Sequence, residues 1–199
     1  ALSRDFGEVE NLQVSRKGPA DFVSNADHRS EQILFEELSK SRPGYGFLME
    51  ERGAVEGTDK THRWIIDPLD GTLNFLHGLP HFAISVGLER EGELVAGVVY
   101  DVVRNEMFTA EKGRGAFMND RRLRVAARTV LQDALVVTGV AHVNREGPGK
   151  AQFMAEYARV SDATAGVRRY GAAALDLAWV AAGRFDGYWE RNLAAWDIA

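Results

Sequence analysis

The chain has 199 residues, 45% of them hydrophobic, with a formal net charge of −5 and no cysteine. That is enough apolar chain to bury a core as one domain of two lobes. The acidic balance argues against nucleic acid as the main partner, and the lack of thiols excludes a disulfide framework and thiol chemistry. No apolar run reaches transmembrane length and no signal peptide opens the chain, which is compatible with a cytoplasmic location and no membrane partner.

Leu2, Phe6 and Val9 have helical spacing, so the chain is expected to start partway into a helix. Asn11–Val14 reads as a short strand, and Arg16-Lys17-Gly18-Pro19 as a turn with two positive charges. Asp21–Asp27 leads into a helix that Ser24, Asn25 or Asp27 caps, with Ile33, Leu34 and Leu38 as its apolar stripe. Glu31, Glu36 and Glu37 read as solvated face charges, and the helix stops at Arg42-Pro43-Gly44. Tyr45–Met49 is a strand ending at Glu50-Glu51, Arg52–His62 is a polar surface loop, and Arg63–Asp67 is a central strand. Phe82–Leu88 and Leu94–Tyr100 are strands joined across Glu89–Glu93, Met107–Thr109 continues them, and Leu123–Val125 closes the section. A third strand after a hairpin argues for antiparallel pairing here. Leu135–Thr138 opens the second half as a strand, and His142–Gly149 is a loop. Phe153, Met154 and Tyr157 mark a short helix. Ala172–Ala182 is an alanine-rich helix stopped by Gly183, Phe185–Glu190 is a strand, and Asp197 can cap a last helix.

The chemistry concentrates at Trp64-Ile-Ile-Asp67-Pro-Leu-Asp70-Gly-Thr72-Leu-Asn-Phe75. Two carboxylates stand three positions apart on a turn stiffened by Pro68, and the helix expected from Thr72 offers backbone N–H groups that suit a phosphate. Oxygen-only ligands suit Mg2+. Asp-Pro-Leu-Asp-Gly by itself is also a good surface turn. Glu50-Glu51 after one apolar run and Asp197 after Trp196 change the balance, because acids at the ends of several apolar runs are what a carboxylate-lined metal site needs. The five histidines (28, 62, 77, 81 and 142) show no metal-ligand spacing and read as structural or surface residues.

These segments, in this order, resemble the inositol monophosphatase family. Trp64–Phe75 is similar to its first signature, D-P-x-D-G-T-x-N, and Ala195–Ala199 to its second, built on Trp-Asp. Phe47–Glu51 resembles its metal-binding Glu-Glu segment, and Gly171-Ala-Ala-Ala and Tyr188-Trp-Glu190 its substrate-binding segments. The resemblance implies an α/β sugar-phosphatase fold (α+β layered, alternating helices and sheets) across one domain, residues 1–199. Residues 1–125 would form an N-terminal lobe with most metal ligands, and 126–199 a C-terminal lobe expected to be incomplete. It implies hydrolysis of myo-inositol 1-phosphate or a similar small phosphorylated polyol by Mg2+-activated water, with lithium sensitivity and a homodimer. It also implies roles. Glu50, Asp67, Asp70 and the Leu69 carbonyl would hold one metal, and Asp70 and Asp197 a second. Glu50 and Thr72 would orient and deprotonate the water. The Gly71 and Thr72 amides would cradle the phosphate, Glu190 and the Ala173 backbone would meet the alcohol's hydroxyls, and Lys17 (with Arg16 beside it) is a secondary phosphate candidate. Met49, Leu73 and Ala172 depart from the family's common residues without removing a ligand.

Three readings compete. A covalent aspartyl phosphatase of the haloacid dehalogenase type needs D-x-D, and position 69 is Leu. Phosphatases of the same fold acting on fructose 1,6-bisphosphate, 3′-phosphoadenosine nucleotides or histidinol phosphate share the catalytic residues. Some family members bind the transcription machinery, a non-catalytic alternative.

Overall fold

The computed structural model describes residues 1–8, 14–18, 21–140 and 149–199, with the side chains of 14–18 and 21–23 left aside. The strand expected over Asn11–Val14 and the loop over His142–Gly149 lie almost wholly outside these residues. A short helix α1 (Leu2–Phe6) precedes a hairpin of β1 (Val14–Gly18) and β2 (Asp21–Ser24), so Arg16 and Lys17 sit in a strand rather than in a turn.

Helix α2 (Asn25–Ser41) starts where it does because Ser24 accepts from the Ala26 N–H at 3.1 Å while Asp27 accepts from the Ser24 N–H at 2.8 Å, a reciprocal cap. Its inward face is Leu34, Phe35 and Leu38, packed on Phe47, Met49 and Ile66; Ile33, expected in this stripe, is 45% exposed. Glu31, expected on the solvated face, is buried.

Eight strands form the main sheet: β3 (Gly46–Met49), β4 (Gly53–Val55), β5 (His62–Asp70), β6 (Ala83–Arg90), β7 (Glu93–Asp101), β8 (Glu106–Glu111), β9 (Gly115–Met118) and β10 (Arg121–Arg122), ordered β10-β9-β8-β7-β6-β5-β3-β4. From β5 to β10 the pairing is antiparallel, but β3 and β5 run parallel, because β4 turns back antiparallel to β3 before the chain re-enters the sheet as β5. The β6–β7 turn is only Glu91-Gly92, both at positive φ, the geometry that matches strand twist. The last strand is Arg121–Arg122 rather than Leu123–Val125, and Val125 is 70% exposed.

A second, parallel sheet has the order β12 (Gly166–Arg168), β11 (Leu135–Thr138), β13 (Gly187–Trp189), with α4 (Lys150–Ala163) against β12. Helix α5 (Ala173–Ala181) fills the space between the sheets. Leu175, Ala178 and Trp179 pack with Ala83 and Phe108 of the large sheet and with Val137 and Phe185 of the second half. Each large apolar side chain buried there contributes about 1.5–3 kcal/mol. A last helix, α6 (Ala195–Ile198), lies against β5 and α5. Helices and sheets therefore alternate in layers, an α+β arrangement. Among the described residues no helix is long and apolar enough to cross a membrane.

Candidate active site

A bulge in β5 positions the two central acids. Asp67 pairs with Ser85 and Asp70 with Ala83, so two residues of β5, Pro68 and Leu69, oppose one of β6. In a regular strand, residues three apart face opposite ways; the bulge turns Asp67 and Asp70 to the same face. Pro68 suits the bulge because it has no N–H to lose. Asp67 accepts from the Leu69 N–H at 2.9 Å, and Ser30 of α2 donates to the Pro68 carbonyl at 2.9 Å, so the turn is tied at both ends. Gly71 then takes φ 90° as the N-cap of α3 (Thr72–Leu76), where an added Cβ would lie 3.1 Å from the Ala172 Cβ and from the His81 carbonyl. Only glycine suits that backbone and that space. The first amides of α3 follow.

The Thr72 hydroxyl lies 2.9 Å from Asp27 Oδ1 and 3.1 Å from the Leu69 carbonyl. Asp27 is fully buried; its other oxygen takes the Ser24 amide and, at 2.6 Å, the Ser24 hydroxyl. Asp27 thus fixes the Thr72 side chain from 45 residues away. The sequence marks it only as a helix cap. Glu31 has a similar hidden part: it accepts from the Glu51 N–H at 2.8 Å and meets Arg52 at 3.3 Å, fastening the chain directly after Glu50. Glu50 itself leaves β3 beside β5, its N–H donating to the Ile66 carbonyl at 3.2 Å.

Asp70 reaches across to α5. Its carboxylate accepts from the amides of Ala173 (3.1 Å), Ala174 (2.8 Å) and Leu175 (3.4 Å). Residue 172 is alanine and has no side chain to cap these orphan donors, so Asp70 caps the helix instead. The Ala173 amide is therefore engaged by Asp70. Asp197 accepts from the Ala194 N–H at 2.6 Å at the start of α6.

The acids feel one another. Burial, then the charges of Glu50, Asp70 and Asp197, push Asp67 well above the usual carboxylate range, against the pull of the Leu69 amide. Burial and Asp197 push Asp70 up to about 8, with Asp176 adding to it and the Ala174 and Leu175 amides opposing. So Glu50, Asp67, Asp70 and Asp197 share one electrostatic neighbourhood. Their oxygens do not converge on a single point as they stand: among the described residues no three His, Asp or Glu side chains form a ready metal cage. Two of the four carboxylates are turned onto helix amides, which a cation would have to share. The donor set still fits a hard divalent ion, since it is all oxygen and its mutual repulsion is relieved by positive charge.

Glu190 follows β13. Two arginines nearby in the chain are engaged by other acids, Arg191 by Glu156 (2.5 Å) and Arg184 by Glu106 (2.5 Å), while Arg169 lies within charge reach of Glu190. The Tyr188 hydroxyl donates to it at 2.6 Å. Burial pushes Glu190 up, the Tyr188 bond opposes this, and Asp176 and Asp197 raise it further, which places it within charge reach of the acids above. His81, expected to be structural or on the surface, is buried with its Nε2 3.1 Å from Asp176 and its ring stacked on Tyr170. Asn74 donates to both the His81 and Tyr170 carbonyls (2.8 and 2.7 Å), which locks α3 to the segment entering α5. The side chains of Arg16 and Lys17 lie outside the description.

The model of the inositol monophosphatase family matches residues 1–199. The chain is 63% identical over 200 residues to the inositol-1-monophosphatase of Caulobacter vibrioides, covering 100% of this chain and 77% of that protein. It is 41% identical over 203 residues to Nus factor SuhB of Escherichia coli K12, covering 100% of this chain and 73% of that one. Among solved structures it resembles extragenic suppressor protein suhB from Bartonella henselae, with 57% identity, a TM-score of 0.96, and 100% and 75% of the two chains covered. It also resembles an IMPase/NADP phosphatase complexed with Mg2+ and phosphate, at 26% identity, a TM-score of 0.80, and 99% and 74% coverage.

Proposed function

Because this chain belongs to the inositol monophosphatase family, we propose that it is a Mg2+-dependent hydrolase of myo-inositol 1-phosphate or a closely similar phosphorylated polyol. The reaction class, phosphoric monoester hydrolysis, follows from the family and from a relative 63% identical over the whole chain. The observation that carries the site assignment is the β5 bulge, which turns Asp67 and Asp70 to one face within charge reach of Glu50 and Asp197. A divalent ion is supported by the donor set and by the Mg2+ in the solved relative; the choice of Mg2+ is part of the proposal.

Bound Mg2+ would supply Lewis acidity, lowering the pKa of water and offsetting charge on the phosphate and leaving oxygen. The chain's residues do the rest. Asp67, Asp70, Asp197, Glu50 and the Leu69 carbonyl would hold the metal. Glu50 would take the proton of the attacking water. Thr72, its hydroxyl fixed by Asp27, would orient that water. The Gly71 and Thr72 amides would receive the phosphate, and Glu190 and the Ala173 backbone would meet the hydroxyls of the alcohol.

Phosphate release from a panel of esters (inositol 1-phosphate, fructose 1,6-bisphosphate, a 3′-phosphoadenosine nucleotide, histidinol phosphate) with Mg2+ or with a chelator tests this. The inositol ester should be turned over best, only with the metal, and Li+ should inhibit. No metal-dependent release from any ester would overturn the proposal and favour a second reading, contact with the transcription machinery, for which the likeness to Nus factor SuhB speaks. A cytoplasmic homodimer remains part of the proposal.

A further inference from the structure

Gly139 and Tyr188 flank the Glu190 carboxylate; Gly139 lies outside every motif that marks the site, and Tyr188 shares a segment with Glu190 without a role of its own so far. A Cβ built on Gly139 would fall 1.8 Å from the Glu190 carboxyl carbon and Oε1 and 2.0 Å from Oε2, so the carboxylate occupies the space any other residue at 139 would need. Gly139 is not among the positive-φ residues, so its glycine serves room and not backbone freedom. On the other side, the Tyr188 hydroxyl donates to Oε2 at 2.6 Å, the length of a charge-assisted bond. The strand pair holds both: Thr138, just before Gly139, pairs with Trp189, just before Glu190, and its hydroxyl donates to the Trp189 carbonyl at 2.6 Å.

A carboxylate has about four acceptor sites and the tyrosine takes one. The others can accept from a substrate's hydroxyls, and a carboxylate fixed beforehand loses less freedom on binding them. We propose that Tyr188 is a positioning residue for the Glu190 carboxylate, that Gly139 is kept as glycine to give it room, and that the two together set the preference for polyhydroxylated phosphate esters. This rests on the proposed substrate class and adds the residues that enforce it.

Kinetics on inositol 1-phosphate and on an aryl phosphate without hydroxyls test it, read as the ratio of the two kcat/KM values. Tyr188→Phe, which keeps the ring and removes only the donor, should lower the ratio about tenfold through KM for the inositol ester, the scale of one bond to a charged group. Gly139→Ala should lower it in the same direction. On a Glu190→Gln background Tyr188→Phe should have a much smaller effect, which a merely structural tyrosine would not show. An unchanged ratio in Tyr188→Phe, or equal losses on both esters, overturns the inference while leaving the phosphatase reading intact. A wild-type protein that cleaves the aryl ester with no preference for the inositol ester overturns the substrate class and the inference with it. Melting curves identify a Gly139→Ala variant that fails to fold, and Tyr188→Phe then decides.

Discussion

Glu106 and Asp70 are carboxylates of the same eight-stranded sheet, and their surroundings push them in opposite directions. Glu106 faces the Arg184 guanidinium at 2.5 and 2.6 Å, which holds its carboxyl below the usual glutamate range. Asp70 is buried with Asp197 and Asp176 for company and is pushed up to about 8. Asp101 likewise has a guanidinium beside it, Arg104 at 2.9 Å, whereas Asp67 sits among Glu50, Asp70 and Asp197. At Glu106 and Asp101 the chain supplies the counter-charge. Around the β5 bulge it supplies more acid, an arrangement that costs stability and makes sense if a cation arrives from outside.

The sharpest way to break this comparison is Asp70→Asn. If the bulge acids hold metal, turnover should fall by about 10³-fold or more, since metal charge stabilisation contributes several kcal/mol. The amide keeps one acceptor for the α5 amides, so the metal-free fold should survive. Mg2+ dependence equal to wild type would place Asp70 with the structural acids. A smaller effect is expected at Glu50: Glu50→Gln should lower kcat by about 10²-fold, the low end for a lost general base, with KM changing less. Glu51→Gln should do less, because the bond from the Glu51 N–H to Glu31 belongs to the backbone and survives the substitution. The reverse order in steady-state assays would exchange their roles.

Residues that act through local pattern are legible in the sequence, and residues that act across the fold are not. The D-P-L-D spacing marks a stiff acidic turn, and Ser24-x-x-Asp27 marks a helix cap, since each is decided within four residues. That Asp27 also holds Thr72 is invisible, because the two meet only when α2 is laid against the end of β5. Glu31 looks like one more surface acid on an amphipathic helix; the Glu51 amide and Arg52 that justify its burial come from the next strand's end. Short apolar runs mark β3 and β5 as strands but carry no information on whether they pair parallel. Asp70's service as the cap of α5 depends on Ala172, a missing side chain 102 positions away, which no local pattern connects.

The two kinds of carboxylate should also respond oppositely to pH. The unfolded chain releases the Asp70 proton near 3.8 and the folded, metal-free protein near about 8. Over that interval the folded state binds more protons, so its stability falls as pH rises. Glu106 has the reverse sign: its contribution is present above the unfolded glutamate value of 4.5 and is lost as pH falls through its lowered folded value. Melting temperature in a chelator should therefore drop by several degrees between about pH 5 and about pH 8. Saturating Mg2+ should remove the drop, because the ion binds the ionised form. A profile independent of metal would mean the bulge acids are balanced from within.

The smallest effect should come from Glu106→Gln, at the paired end of the comparison. The pair is bidentate but not sealed, since the Arg184 side chain is 32% exposed and the Glu106 side chain 18%. Arg184 has other support: its guanidinium lies 4.9 Å from the Trp179 ring and 5.9 Å from that of Phe108. Losing the carboxylate leaves a cation that water can reach, so the cost should be about 1 kcal/mol, the upper range for an exposed pair, and about 2–4 °C in melting temperature for a chain of this length. The deficit should narrow at acid pH, because wild type loses the same contribution when Glu106 protonates. Mg2+-dependent turnover should not change. A loss above about 3 kcal/mol would match a buried charge left without its partner, and Glu106 would then belong with the acids whose environment the fold strains to maintain.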